Sequence, residues 1–189
     1  MTTIIFAHPW HGSFNKAILD SVTTELQNKQ IPCQVIDLNK DGFNPVMTES
    51  ELALFAKGES LDPLVSNYQQ MLKASDRLIF IFPLWWSDVP AILKGFFDKV
   101  MLKNFAYTAT SMGLKGNLTH IRSAKVIVTG QAPKWHIKYV RGNPIQRTFI
   151  GTTLKNIGIK NAKWLYCSDC SNPSQEALEK RKRFLRDVK

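Results

Sequence analysis

The segment Arg77-Leu-Ile-Phe-Ile-Phe82 is apolar at every position after its first and runs into Pro83. It is too short for a typical helix and has no polar alternation that would give one face to water. A strand of this kind belongs at the centre of a parallel sheet covered on both sides. Shorter apolar runs at Thr2–Ala7, Cys33–Leu38, Ala124–Thr129 and Lys163–Cys167 supply four neighbours. Between them lie stretches with helical spacing. Phe14–Lys29 places Phe14, Ala17, Ile18, Val22 and Leu26 on one face. Glu49–Ala56 and Leu61–Ala74 read as two helical pieces broken near Gly58, after a turn-rich loop at Asp41–Val46. Pro90 suits a first helical turn, and Ile92, Leu93, Phe96, Phe97, Val100 and Met101 then form a broad apolar face. A helix is expected over Ile145–Ile157, stopped by Gly158, and Ser174 is placed to cap a last one. Strands alternating with helices define a doubly wound α/β chain.

The 189 residues suit one domain, and no linker or repeat divides 1–189. With 44% hydrophobic and 21% charged residues, the composition is that of a globular protein. The longest apolar run, Leu78 to Trp86, falls far short of the ~18 residues of a membrane span. No basic flank or small-residue cleavage site marks a signal peptide, so the expected location is cytoplasmic. Three cysteines, Cys33, Cys167 and Cys170, are too few and too odd for a disulfide framework. Cys167-Ser-Asp-Cys170 has CxxC spacing without the second ligand pair of a zinc site. It reads as either a redox dithiol or two inert thiols at a strand end. The net charge of +10 is concentrated at the C-terminus, in Lys180, Arg181, Lys182, Arg183, Arg186 and Lys189. No nucleic-acid-binding signature accompanies it, and a solvated last helix accounts for it.

Ligands of open α/β sheets bind outside the carboxyl ends of the strands. The first such loop, His8-Pro-Trp-His-Gly-Ser-Phe-Asn15, runs from a strand into a helix. A helix start offers free N–H groups and positive dipole, which suit a phosphate. Ser13 and Asn15 add side-chain donors, and the first acidic residue of the chain is Asp20. The alternative is that Ser13 simply caps the helix. Neither G-x-x-x-x-G-K-[ST] nor G-x-G-x-x-G is present, which excludes a P-loop hydrolase and the usual dinucleotide fingerprint. The second loop, Pro83-Leu-Trp-Trp-Ser-Asp-Val-Pro90, puts two indoles at the end of the central strand, where they suit a flat apolar pocket for an aromatic ring. The third, Thr129-Gly-Gln-Ala-Pro133, offers close approach and polar groups.

The combination of His8…Ser13-Phe14-Asn15, Phe82-Pro83-Leu84-x-Trp86, Val89-Pro-Ala-Ile-Leu-Lys-Gly-Phe96 and Phe105-Ala-Tyr107 resembles the NAD(P)H:quinone oxidoreductases of the DT-diaphorase type, small bacterial members above all. The resemblance runs from Ile4 to about Cys167. It implies a flavodoxin-like, five-stranded parallel sheet of order 2-1-3-4-5, a tightly bound flavin and a homodimer. It also implies two-step hydride transfer, from NAD(P)H to the flavin and then to a quinone-like acceptor. Carried over by motif, His8, Ser13, Phe14 and Asn15 would hold the flavin phosphate. Pro83, Leu84, Trp85 and Trp86 would line the isoalloxazine, with Thr129 and Gly130 at its pyrimidine end. Trp86, and Tyr107 from the partner subunit, would close the substrate pocket. The Tyr/His pair that assists hydride transfer in larger members has no match, because the loop continues Gln131-Ala-Pro-Lys-Trp-His136. His136 and Tyr139 are candidates only by proximity. The shorter Asn39–Gln70 segment favours FMN over FAD. Some relatives are ancillary flavoproteins of membrane transporters, and the basic C-terminal helix is compatible with that second role.

Overall fold

The computed structural model describes residues 1–188; Lys189, counted above among the C-terminal cations, lies outside the described residues. The elements in order are β1 (Thr2–Phe6), α1 (Phe14–Asn28), β2 (Cys33–Asp37), α2 (Glu49–Phe55), α3 (Pro63–Lys73), β3 (Arg77–Pro83), α4 (Ala91–Val100), β4 (Tyr107–Thr110), β5 (Gly113–Gly116), β6 (Ser123–Thr129), α5 (Lys134–Tyr139), a π-helix (Ile145–Leu154), β7 (Ala162–Cys167) and α6 (Gln175–Asp187). The main sheet has order β2-β1-β3-β6-β7. All its pairings are parallel. Its five strands therefore follow the 2-1-3-4-5 order of a flavodoxin-like sheet, with β3 at the centre. Leu78 to Pro83 are all buried, as an apolar run without alternation requires.

Two hydrophobic clusters sit on the two faces. On one face the strand residues Ile4, Phe6, Ile79, Ile81 and Ile127 meet Ile18 and Val22 of α1, with Phe184 and Leu185 of α6 packed against them. The larger cluster joins Ile5, Phe80, Phe82 and Val126 to α3, α4 and the π-helix. Alternate strand residues thus feed opposite faces. Register pairs Pro83 with Thr129 and Phe6 with Ile81, so the loops after β1, β3 and β6 emerge side by side.

Three features depart from the expected pattern. An antiparallel hairpin, β4–β5, is inserted between α4 and β6. A short helix, α5, follows the third loop. The segment expected as an α-helix at Ile145–Ile157 is π-helical over most of its length. Its buried residues, Ile145, Phe149, Ile150 and Leu154, are spaced by four and five positions. An α-helix of 3.6 residues per turn would rotate Leu154 away from Ile145, whereas wider i→i+5 winding keeps both inward. The Thr152 hydroxyl donates to the Arg147 carbonyl, five residues back, in keeping with that winding.

Candidate functional site

The loop after β1 is tied down at several points. His8 Nδ1 lies 3.1 Å from the Trp10 backbone nitrogen and 3.2 Å from the Trp10 carbonyl oxygen, so either tautomer of the ring finds a backbone partner there. Burial holds the His8 imidazole below its ordinary value, against the effect of the Trp10 backbone, so it is neutral at pH 7. The His8 ring lies 6.1 Å from that of Trp85, bringing the first two loops together. His11 pairs with Asp37 at the end of β2, Nε2 to Oδ2 at 3.0 Å. Nothing in the sequence had singled out that pair, because its members are separated by a whole βα unit.

Ser13 is the N-cap of α1, its hydroxyl accepting from Lys16 N–H at 3.2 Å. The capping alternative therefore holds for its side chain. Asn15 is buried and engaged as well: its amide donates to Thr129 Oγ1 at 2.9 Å and its carbonyl accepts from the same hydroxyl at 3.2 Å. The Phe14 ring packs on Phe184 of α6. Ser13 thus keeps only its hydroxyl proton for a ligand, and the Asn15 and Phe14 side chains are engaged within the protein. The helix start also presents backbone: among the described residues the N–H groups of Phe14 and Asn15 meet no acceptor, since the bonds closing the first turn begin at Lys16.

The loop after β3 turns on Trp86 and Ser87. Both have positive φ, 51° and 64°. Trp85 and Asp88 exchange N–H···O bonds of 3.0 and 2.9 Å around them. This is a two-residue type I′ turn, whose usual occupants are Asn-Gly. The Trp86 side chain is wholly exposed, at 101% relative accessibility, and Trp85 is half exposed. Strain and an unburied indole at one position mark a residue kept for contact with something else.

The loop after β6 closes the other side. Leu84 N–H donates to Thr129 O at 2.7 Å, stitching the second loop to the third. A Cβ on Gly130 would collide with the Tyr166 hydroxyl, so the glycine lets the Tyr166 side chain lie close against this loop. Tyr166 donates to Ala132 O at 2.8 Å, and burial pushes its phenol up to about 12.

Between the second and third of these loops lies a cleft of about 290 Å³, lined by Leu84, Trp86, Ser87, Gly130, Gln131, Ala132, His136, Ile137, Arg141 and Tyr166; His8, Ser13, Phe14 and Asn15 of the first loop do not line it. Of the expected residues, Leu84, Trp86, Gly130 and His136 line it. Pro83 and Thr129 lie buried in the strand ends beneath, and Trp85 sits against His8. Tyr139 is exposed at the far end of α5, under Lys138. Tyr107 opens β4 and packs on the main core; it does not line the cleft of its own chain. Tyr166, Arg141, Gln131 and Ser87 line the cleft but were not singled out from sequence; α5 and β7 bring the first two in from later in the chain.

His136 Nδ1 is buried without a hydrogen-bond partner among the described residues. An orphaned imidazole nitrogen beside a cleft is a group that a ligand can satisfy. Flat apolar walls, a glycine approach and free N–H groups at a helix start together fit a flavin. Among the described residues no group of three or more His, Cys, Asp or Glu is placed to hold a metal. A larger cavity of about 530 Å³ opens at the opposite pole, among Lys29, Arg77, Arg122, Lys125 and Lys163 at the amino ends of the strands. It has neither the aromatic wall nor the loops of a doubly wound ligand site.

The C-terminal cations are partly structural. Lys180 pairs with Asp169 at 2.6 Å and with Ser168, and Arg181 donates to the carbonyls of Asp169, Cys170 and Asn172. Among the described residues no helix is long and apolar enough to cross a membrane.

Residues 1–188 match the family described as having the flavodoxin-like fold. NAD(P)H dehydrogenase [quinone] 1 of Rattus norvegicus is 33% identical over 143 residues, covering 67% of this chain and 52% of the rat protein. The chain spans about half the length of the curated relatives it matches most strongly. The crystal structure of Smu.1420 from Streptococcus mutans UA159 is similar at 32% identity and a TM-score of 0.83, over 99% of this chain and 95% of that one. A NAD(P)H:quinone oxidoreductase from Methanothermobacter marburgensis is similar at 26% identity and a TM-score of 0.86, over 99% and 96%.

Proposed function

The chain belongs to the flavodoxin-like family, and from that premise we propose that it is a flavin-dependent oxidoreductase that passes hydride from NAD(P)H to a quinone or similar acceptor. The observation that carries this reading is the cleft itself. An exposed indole on a strained turn lines the cleft together with the Gly130–Ala132 loop and an imidazole of α5 whose Nδ1 is unsatisfied. The names of the rat and archaeal relatives point to the same chemistry.

A bound flavin would accept hydride from the nicotinamide and hand it to the acceptor. The chain's own residues bind and orient. The Phe14 and Asn15 N–H groups take the flavin phosphate, and the Asn15–Thr129 clasp keeps them aligned with β6. Leu84, Trp85 and Trp86 flank the ring, and Gly130 and Gln131 approach its polar edge. His136 donates or accepts a hydrogen bond at the ligand through Nδ1. Arg141 gives the cleft a cation for an anionic group of the dinucleotide. The cofactor in this reading is FMN; α2 and its caps interrupt the segment between β2 and α3, dividing the loop that an adenosine would need into two short stretches, 38–47 and 57–62.

The reading further holds that the protein is a homodimer, with the partner's Tyr107 over the cleft, and that it works in the cytoplasm. The transporter-ancillary role is weakened by Lys180 and Arg181, which are spent on the Ser168–Asn172 turn. The test is direct. The purified protein is expected to be yellow, to release one FMN per chain on denaturation, and to be bleached anaerobically by NADH or NADPH. Re-oxidation by a quinone should follow. Failure to bind FMN or FAD in a titration would overturn the proposal. Recovery of FAD would correct the cofactor alone.

A further inference from the structure

The Cys167-Ser-Asp-Cys170 segment lies directly behind the cleft wall and is used by nothing above. β7 ends at Cys167, and Asp169 then takes a left-handed backbone, φ 59°, which folds Cys170 back on the strand end. The Cys170 thiol sits 3.2 Å from the Cys167 carbonyl oxygen. Both sulfurs approach a single acceptor, the Ser168 carbonyl, at 3.7 and 3.8 Å. The turn is clamped by Arg181 on three of its carbonyls and by Lys180 on Asp169. Those two cations also flank Cys170.

From this arrangement we propose that Cys170 and Cys167 are a dithiol that hydrogen peroxide closes to a disulfide, and that this modification changes the affinity of the cleft for its ligand. The two thiols are unequal. Hydrogen bonding from Cys167, opposed by burial, lowers the Cys170 thiol, with Arg181 and Lys180 assisting. Cys167 is pushed up by its contact with Cys170 and by burial, so it keeps its proton. Cys170 is half-buried and reachable, whereas Cys167 is enclosed. Cys170 is thus the attacking sulfur and Cys167 the resolving one.

The Cys170 thiolate attacks one peroxide oxygen. The O–O bond breaks, and the departing hydroxide takes a proton to become water. Cys170 is left as a sulfenic acid. The Cys167 sulfur then attacks the Cys170 sulfur, the S–O bond breaks, and the hydroxyl leaves as water with the Cys167 proton. Two thiols lose two electrons, and peroxide gains them.

The coupling to the cleft runs through backbone. Gly130 N–H donates to Cys167 O at 3.0 Å, Cys170 N–H to Gly130 O at 3.2 Å, and Asp169 N–H to Gln131 O at 3.3 Å. Drawing the sulfurs together pulls on the loop that forms one side of the cleft. This half of the proposal rests on the flavin reading; the dithiol chemistry does not.

The experiment treats the purified protein with stoichiometric peroxide. Two of the three thiols should disappear, and a peptide carrying a Cys167–Cys170 disulfide should be recovered by mass spectrometry. In Cys167→Ser, Cys170 should be trapped by dimedone as the sulfenic acid; in Cys170→Ser, Cys167 should stay reduced. Oxidation of Cys33 at a rate equal to Cys170, or no dimedone adduct in Cys167→Ser, would overturn the dithiol. FMN titrations of oxidised and reduced protein should differ by about fivefold or more and converge after dithiothreitol. Equal affinities would overturn the coupling. An absence of both FMN and FAD binding in both forms defeats the coupling and the flavin reading together, and leaves the dithiol standing on its mass spectrum.

Discussion

Trp86 is held where most sequences would place asparagine, and the cost can be measured. Both central residues of its turn are left-handed, a conformation that costs a non-glycine residue about 1–2 kcal/mol. Replacing Trp86-Ser87 by Asn-Gly restores the residues that a type I′ turn prefers. The double variant should melt several degrees higher than the parent. It should also lose affinity for quinone, because the indole that lines the cleft is gone. A fall in melting temperature would show that the indole stabilises the fold and is not kept for a ligand. Ser13 offers the complementary test. Aspartate caps a helix as well as serine does, so Ser13→Asp should leave stability unchanged or slightly raised. Its charge would stand beside the Phe14 and Asn15 N–H groups and repel a phosphate. Flavin affinity should fall about tenfold, equivalent to about 1.4 kcal/mol. An unchanged affinity in a flavin titration would move the phosphate elsewhere.

Helix α4 was legible from its apolar face, yet that face carries a lysine. Lys99 is buried, 2.8 Å from Glu51 of α2 and 3.6 Å from the α3 cap Asp62, and it donates to Asn44 O at 2.9 Å. This ion pair fastens two helices whose packing the periodicity could not show, because its partners lie far apart in sequence. Glu51 also accepts from Thr48 N–H at 2.8 Å as the second half of a capping box. Burial raises its carboxyl, but Lys99 and Thr48 together outweigh burial and hold it below the ordinary 4.5. A carboxyl depressed in the folded state stabilises above its unfolded value, and that stability is lost as pH falls through the folded one. Glu51→Gln keeps a capping acceptor and removes the charge, leaving Lys99 with Asp62 alone. The expected loss is about 2–3 kcal/mol near neutrality. The gap to the parent should narrow on acidification, read from denaturant midpoints at several pH values. A gap independent of pH would mean that Glu51 acts only as a cap. The other elements missed from sequence have physical causes of the same kind. The strand β4 exposes three of its four residues and so carries no burial pattern, α5 buries only Ile137, and the π-helix hides behind a spacing that matches neither common period.

At the scale of the whole molecule, the parallel sheet and its three loops were readable because apolar runs and breaks coincide with the strands. The side-chain roles inside the site were less so. Ser13 and Asn15 turned inward to bonds with Lys16 and Thr129, partners that a linear motif does not display. What the fold leaves outside is equally informative. Trp85, Trp86, Trp135, Tyr139 and Val140 are all substantially exposed, and all belong to the loop after β3 or to α5 and the residue after it, the two segments that flank the cleft. So much aromatic surface gathered at one site is uncommon on a monomer and suits an interface. A second copy of the chain would cover it and exclude water from the cleft. It would also give Tyr107 a site to act on, since that residue does not line its own chain's cleft. Sedimentation of the purified protein should therefore give a dimer at micromolar concentration. Trp135→Lys combined with Tyr139→Lys should shift it toward monomer without unfolding, because both side chains are exposed in the single chain. Quinone reduction should fall with the dimer fraction. A parent protein that sediments as a monomer and turns over at full rate would remove the interface, and Tyr107 with it, from the site.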